Sequence, residues 1–167
     1  AVGAKLPKAA RVVPEVERAV GDHTCRIRQL GSDGIVRLIA GTGTCTVSGD
    51  GGLAANAGLS PVHGFSVARD GTVYFGEYTN DHIIRKITPD GIVRTIAGTQ
   101  GVGGFSGDSG PARRAQIYGP NSVKLFPDGS VVFADLYNSR IRRIAPPLPS
   151  LGANQYVFPS KSGNELY

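Results

Sequence analysis

The sequence predicts an all-β protein built from repeated four-stranded antiparallel sheets. Three observations support this fold class. The 167 residues include 24 glycines and 11 prolines, which is typical of many short strands joined by tight turns. Long segments of the chain repeat one another, and inside each repeat short apolar runs alternate with turn residues. The hydrophobic content of 40% is enough for one modest core.

The first segment, residues 1–21, shows no sustained hydrophobic period. Charged residues and prolines interrupt it, so we expect an irregular lead-in or a short helix rather than a sheet strand. No stretch of the chain approaches the roughly 18 apolar residues that a membrane-spanning helix needs. No charged-then-apolar signal peptide opens the sequence either.

Two stretches, 28–41 and 85–98, match at an offset of 57 residues, and both contain Asp-Gly-Ile-Val-Arg and end in Ile-Ala-Gly. A third copy begins at Arg142 and then changes into a proline-rich segment. The glycine-rich segment Ser48-Gly49-Asp50 returns as Ser106-Gly107-Asp108, 58 residues later. The chain is therefore predicted to consist of structural repeats.

Four strands are predicted within one repeat. Gly64 to Ala68 and Thr72 to Gly76 form the first two, with Asp70-Gly71 as the hairpin turn between them. Ile83 to Ile87 and Ile92 to Ala97 form the third and fourth, joined by a turn that also contains Asp-Gly. Each repeat is thus an antiparallel meander.

A four-stranded sheet of this kind does not bury both faces alone, so successive sheets are expected to pack face to face around an axis as blades of a β-propeller. The predicted parts are a partial blade at 22–41, a blade at 60–98 and a blade at 119–145, with glycine-rich connections at 42–59 and 99–118. Closed propellers need about four to eight blades. We therefore expect a fragment of a larger propeller, or sheets completed by self-association through open edges.

The blade motifs resemble the NHL-repeat family. The resemblance is carried by Gly64-Phe65-Ser66-Val67, by Asp70 to Phe75, and by Ile84-Arg85-Lys86-Ile87, and it covers about Cys25 to Ile144. The Ser-Gly-Asp-Gly-Gly and Ser-Gly-Asp-Ser-Gly connections are similar to those in the NHL region of teneurins and bacterial Rhs/YD-repeat proteins. Two departures are Glu77, which becomes Asp135 in the next copy, and Ser122, which replaces Gly64.

The resemblance implies a large secreted or cell-surface parent protein. The segment 146–167 looks like the start of a following β region, the YD-repeat shell. Within such a parent, the propeller would be a non-catalytic module for protein–protein interaction or scaffolding. Its partner would be another protein or the remainder of the parent chain.

The net charge of +5 raises the question of a polyanionic partner. No basic patch interleaved with aromatic residues appears, so nucleic-acid binding is disfavoured. The positive residues lie along the strands, and we expect them on solvated strand faces. Cys25 and Cys45 lack zinc-site spacing. A disulfide between them and two buried free thiols are both compatible with the sequence.

Candidate catalytic groups are sparse. His23, His63 and His82 are scattered, with His63 expected just before a first strand, so no catalytic, cofactor-binding or metal-binding residue is assigned. Asp50 and Asp108 lie among glycines, but one carboxylate in each loop does not make a calcium site. They are expected to cap their own turns. The alternative function is a lyase-like, metal-assisted enzyme or a ligand-binding propeller with a site at the central axis.

Overall fold

The computed structural model describes residues 24–31 and 33–146, and this part of the chain forms three antiparallel sheets. The predicted segments 1–21 and 147–167, as well as His23, lie outside the described residues. The strands are β1 (Ile27–Leu30) and β2 (Val36–Ala40) in the first sheet; β3 (Val62–Val67), β4 (Val73–Glu77), β5 (Ile83–Ile87) and β6 (Val93–Ala97) in the second; β7 (Pro120–Leu125), β8 (Val131–Asp135) and β9 (Arg140–Ile144) in the third. Short 3-10 helices occupy Ala54–Asn56, Ala112–Arg114 and Leu136–Asn138.

The predicted all-β fold class is confirmed, and the second sheet has the meander order β3-β4-β5-β6. Its first hairpin turns at Asp70-Gly71, where Gly71 has a φ of 92° and donates its N–H to the Ala68 carbonyl at 3.0 Å. Such a left-handed φ favours glycine. The Asp70 carboxylate accepts the N–H of Thr72 at 2.9 Å, which is the usual way an Asp supports a turn.

Strand β3 begins at Val62, two residues before the predicted start. Its register against β4 shifts between Val62 and Phe65, and Gly64 in between has a φ of 91°. This bulge interrupts the apolar–polar alternation, so the pattern reveals only the residues that follow it. A Cβ at Gly64 would lie 2.6 Å from the backbone nitrogen of Ser122 in β7, which shows how closely the first strands of the two sheets approach.

The three sheets pack face to face and share their cores. Residues of the first sheet and its connection, including Ile27 and Leu59, pack against Phe75 and Val93 of the second sheet. The opposite face of the second sheet, which carries Ile84, packs against the third sheet around Phe133, Val123 and Ile117. The second sheet is therefore buried from both sides, as a blade between two blades.

Candidate functional site at the junction between the second and third sheets

Two arginines that the sequence placed on solvated strand faces are buried. Arg85 on β5 is 0% exposed and Arg142 on β9 is 2% exposed. Each faces the glycine-rich connection that precedes its sheet, where backbone carbonyls and a carboxylate receive the guanidinium. The expectation of solvation was wrong for these residues because the connection folds over them.

Arg142 makes the more complete set of contacts. Its Nη1 donates to Asp135 at 3.1 Å and to the Gln116 carbonyl at 2.7 Å. Its Nη2 donates to Asp108 at 2.7 Å and to the Ser106 carbonyl at 2.8 Å. A buried guanidinium requires such pairing, since an unpartnered charge in the interior is costly. One side chain thus ties the connection to the third sheet at three points, Ser106, Asp108 and Gln116.

Arg85 repeats this arrangement in the second sheet with longer contacts. It donates to the Ser48 carbonyl at 3.1 Å and lies 3.7 Å from Glu77 and 3.6 Å from Asp50. Glu77 is fully buried and its Oε2 has no hydrogen-bond partner. Burial raises the pKa of Glu77 to about 8, and nearby Arg85 only partly opposes this effect.

Asp50 and Asp108 do not cap their own turns. Asp50 accepts both the backbone N–H and the hydroxyl of Thr95 in β6. Asp108 pairs with Arg142 across 34 positions of sequence. Both aspartates connect the glycine-rich segments to the sheets, so the turn-capping expectation was wrong for them.

The contacts of Asp135 also fix the position of an exposed aromatic side chain. Its Oδ1 accepts the backbone N–H of Tyr118 at 2.6 Å, and its Oδ2 accepts the Asn138 amide at 2.8 Å. Tyr118 precedes β7, and Tyr137 belongs to the 3-10 helix after β8. The buried carboxylate therefore holds the two chain segments, before β7 and after β8, from which these tyrosines project at one end of the third sheet.

Five rings form a continuous series at this end of the sheets, which we call the aromatic cluster. Tyr118 and Tyr137 have centroids 4.7 Å apart, and Tyr137 and Tyr78 have centroids 5.5 Å apart. His63 packs on Tyr78 at 4.6 Å, and His82 meets Tyr118 edge-on at 4.7 Å. The hydroxyls of Tyr78 and Tyr137 are hydrogen-bonded to each other. Tyr118 is 41% exposed and Tyr137 is 55% exposed.

The blade architecture does not require these rings. In the preceding repeat, Ser60 is equivalent to Tyr118 and Thr79 is equivalent to Tyr137, and the equivalent of Tyr78 in the third sheet is Leu136. The repeat comparison could have found the aromatic cluster, because its tyrosines stand where the aligned copy has a serine, a threonine or a leucine. It was missed because its members are spread over 75 positions, from 63 to 137.

The histidines differ in their settings. His63 lies inside β3 rather than before it, because the bulge extends that strand. His82 has a φ of 52° and accepts a long hydrogen bond, 3.4 Å, from the N–H of Gly119. Over residues 24–31 and 33–146, His, Cys, Asp and Glu side chains form no group of three that could hold a metal ion.

Cys25 and Cys45 form a disulfide with their Cα atoms 5.3 Å apart. It links Cys25, two residues before β1, to the first glycine-rich connection. Of the two states that the sequence left open, the structure contains the oxidised one. In the part of the chain that the structure describes, no helix is long and apolar enough to cross a bilayer.

The amino-acid sequence is similar to part of the teneurins. No protein-family profile matches the chain. Human Teneurin-4 is 31% identical and mouse Teneurin-1 is 30% identical, each over 159 aligned residues that cover 84% of this chain. The chain spans only about 6% of the length of these relatives.

A solved structure of a Bacteroides thetaiotaomicron protein of unknown function is similar in fold. It superposes with a TM-score of 0.63 at 25% identity, over 72% of this chain and 30% of the other. The sheets, their stacking and these similarities agree with one another. The chain is therefore a β-propeller region whose sequence is similar to that of a short stretch of the teneurins.

Proposed function

We propose that this chain is a non-catalytic β-propeller module that makes protein–protein contacts within a large secreted or cell-surface protein of teneurin type. The exposed aromatic cluster is the observation that carries this proposal. Tyrosine is enriched in protein interfaces because its ring supplies apolar area and its hydroxyl stays hydrogen-bonded. Three tyrosines whose positions are fixed from beneath by Asp135 and by close-packed glycines form a rigid contact surface.

The rigidity of the surface matters for its affinity. Gly119 has a φ of 70°, and a Cβ there would lie 2.7 Å from the Tyr137 ring. The tyrosine rings thus lie directly against backbone and lose little side-chain freedom when a partner covers them. Preorganised aromatic anchors of this kind typically account for much of the binding free energy of an interface.

Similarity to teneurins supports a partner that belongs to the same large protein. The relatives are far longer than this chain, so a parent protein of their kind contains other regions that this surface would contact. We propose that the aromatic cluster packs against the remainder of the parent chain, in the role of a scaffold. His63 is exposed and His82 is half-buried, and both pack on tyrosines of the aromatic cluster, which supports a contact role for them.

Site-specific photo-crosslinking in the purified parent protein tests this proposal. A benzophenone amino acid replaces Tyr137, and in a control it replaces Phe126, which is 49% exposed at the other end of the sheet. We expect position 137 to crosslink to a peptide outside residues 1–167 and position 126 to do so at least several-fold less. Crosslinks from position 137 that stay within the module would overturn the proposal.

A second variant separates contact from folding. Tyr118→Ser with Tyr137→Thr installs the side chains of the preceding repeat at the same places, so the blade should still fold. We expect this pair to abolish the crosslink from a probe placed at His63. An unchanged crosslink in the folded double variant would show that the tyrosines are not the contact surface.

A further inference from the structure

A crevice recurs at both junctions between sheets. The first, of about 220 Å³, lies between the first and second sheets, and the second, of about 260 Å³, lies between the second and third. Their linings correspond through the repeat: Ile39 matches Ile96, Val73 matches Val131, and Ile87 matches Ile144. Because it occurs twice, the crevice is a property of the way the sheets stack.

The chemistry of the two linings differs. The side chains around the first crevice carry no formal charge, and its polar member on the middle of a strand is Gln29. At the equivalent position the second crevice has Lys86, and it adds Arg94 and Arg113. No carboxylate lines the second crevice among the described residues.

Two of these positively charged side chains lie next to each other and repel. Lys86 and Arg94 are directly paired across β5 and β6, where like charges destabilise a sheet. Within residues 24–31 and 33–146, no carboxylate lies within salt-bridge distance of either one. Arg113 lies 3.3 Å from Asp50 and is partly neutralised. Asp90 attracts Arg94 without a close contact, so the positive charge of the pair is only partly offset. Net positive charge beside a cavity favours an anionic ligand.

We propose that the second crevice binds a small ligand that carries a tetrahedral oxyanion, a phosphate or sulfate ester, next to an apolar group. Lys86 and Arg94 would contact the oxyanion, and Arg113, which arrives from the 3-10 helix Ala112–Arg114, would complete the site from another side. Ile96, Val131 and Ile144 form the wall for the apolar group, and Tyr74, which pairs with Lys86 across β4 and β5, also lines the crevice.

Titration of the intact chain with phenyl phosphate, phenyl sulfate, inorganic phosphate and inorganic sulfate, followed by backbone NMR, tests this site. We expect both aryl esters to shift the amide signals of Lys86, Arg94 and Thr95, and to bind more tightly than the inorganic ions because of the apolar wall. Comparison of the two esters decides whether phosphate or sulfate is preferred. No shift at these amides with millimolar ester would overturn the proposal.

Two variants make the test specific. Lys86→Gln, which copies Gln29 of the first crevice, should weaken ester binding about tenfold, as expected for the loss of one charged hydrogen bond. Arg37→Gln removes an equal charge from the surface of the first sheet and should change binding less than about twofold. Equal weakening by both variants would show general charge attraction and would overturn the site.

Stability without ligand gives an independent readout. Because Lys86→Gln removes repulsion from Arg94, the variant should melt at the same temperature as the wild type or higher in low salt. Phenyl phosphate should then raise the melting temperature of the wild type and not that of the variant. A variant that melts below the wild type in low salt would assign Lys86 a structural role and contradict the proposal.

Discussion

Arg142 shows how one buried charge determines the path of a long connection. Its four hydrogen bonds reach Ser106, Asp108, Gln116 and Asp135, which holds the second glycine-rich segment against β9 at residues 106, 108 and 116. Its neighbour Arg143 faces solvent and pairs with Asp128 at 2.6 Å. Two adjacent arginines thus have opposite environments, because successive side chains of a strand point to opposite faces.

Replacing Arg142 is therefore expected to be far more harmful than replacing Arg143. Arg142→Gln leaves Asp135 buried without its cation, which should lower the free energy of unfolding by about 3 to 5 kcal/mol. Arg143→Gln breaks only an exposed pair and should have little effect. Urea denaturation followed by circular dichroism measures both. Similar losses for the two variants would contradict the assigned roles.

Glu77 gives the second sheet a pH dependence. Its pKa of about 8 in the folded protein lies above the usual value of a glutamate, so the folded state holds a proton that the unfolded state has released. Its contribution to stability is fully present below the unfolded value and is lost as the pH rises through about 8. The contribution should fall by about 1 kcal/mol per pH unit in that window.

Glu77→Gln should remove this dependence while it preserves the acceptor for the Ser60 N–H. We expect the stability of the wild type to fall relative to the variant between about pH 5 and pH 8. Chemical denaturation at several pH values, plotted as the difference between the two proteins, measures the effect. A difference that does not change with pH would show that Glu77 is ionised throughout this range.

At the scale of the elements, the sequence predicted most strands because each hairpin carries its own turn signal. Ile83–Ile87 was predicted with the observed bounds, while β4 is shifted by one residue at both ends and β6 starts one residue later than predicted. The bulge in β3 escaped prediction because it depends on the approach of Ser122 from the next sheet, a contact 58 positions away. Local patterns do not contain such information.

The site was less predictable than the strands. The disulfide was one of two states that the sequence allowed, and the burial of Arg85 and Arg142 was missed because alternation places them beside exposed residues. Their burial depends on how the glycine-rich segments fold back, which composition does not specify. The aromatic cluster and the crevices arise only when separate repeats are brought together.

Substitution of two glycines that have nearly the same backbone φ tests how closely strands β3 and β7 approach each other. Gly64 and Gly71 have φ values of 91° and 92°, so alanine is strained at both. A Cβ at Gly71 would meet no atom within 4 Å, whereas one at Gly64 would collide with the backbone of Ser122 and Val123. Gly64→Ala should therefore cost about 2 kcal/mol more than Gly71→Ala. Thermal denaturation gives the comparison, and equal costs would show that the sheets separate easily.

The whole molecule is organised around the second sheet, which contributes to both cores. Phe75 is in the first core and Phe133 is in the second, and the strands of the middle sheet lie between them. A change that stabilises the packing at one junction therefore also stabilises the second sheet, which forms half of the other junction. We expect the described part to unfold cooperatively rather than sheet by sheet.

The first sheet exposes an apolar face on the side away from this core. Val36 is 59% exposed and Leu38 is 46% exposed, and both project from β2. An apolar sheet face of this kind favours association with another sheet. We predict that the isolated chain self-associates at micromolar concentrations, and that Val36→Lys with Leu38→Lys shifts it toward monomer.

Native mass spectrometry or light scattering measures this association. Val102→Lys is the matched control, because Val102 is an exposed apolar residue in the second glycine-rich connection, away from β2. A wild-type chain that stays monomeric over this concentration range would show that the apolar face of β2 does not drive association. If the control variant shifts the chain toward monomer to the same extent, the added charge alone explains the effect.

The contacts of Arg142 also bear on how the chain withstands proteases. Arg113 and Arg114 lie exposed in the second connection and would suit a trypsin-like enzyme, yet the carbonyls of Ser106 and Gln116 on either side are held by the buried guanidinium. A protease must pull several residues of a loop into an extended form before it cuts. In this chain that movement first requires the carbonyls of Ser106 and Gln116 to be released from Arg142, so the surface loop should be cleaved only as often as these contacts open.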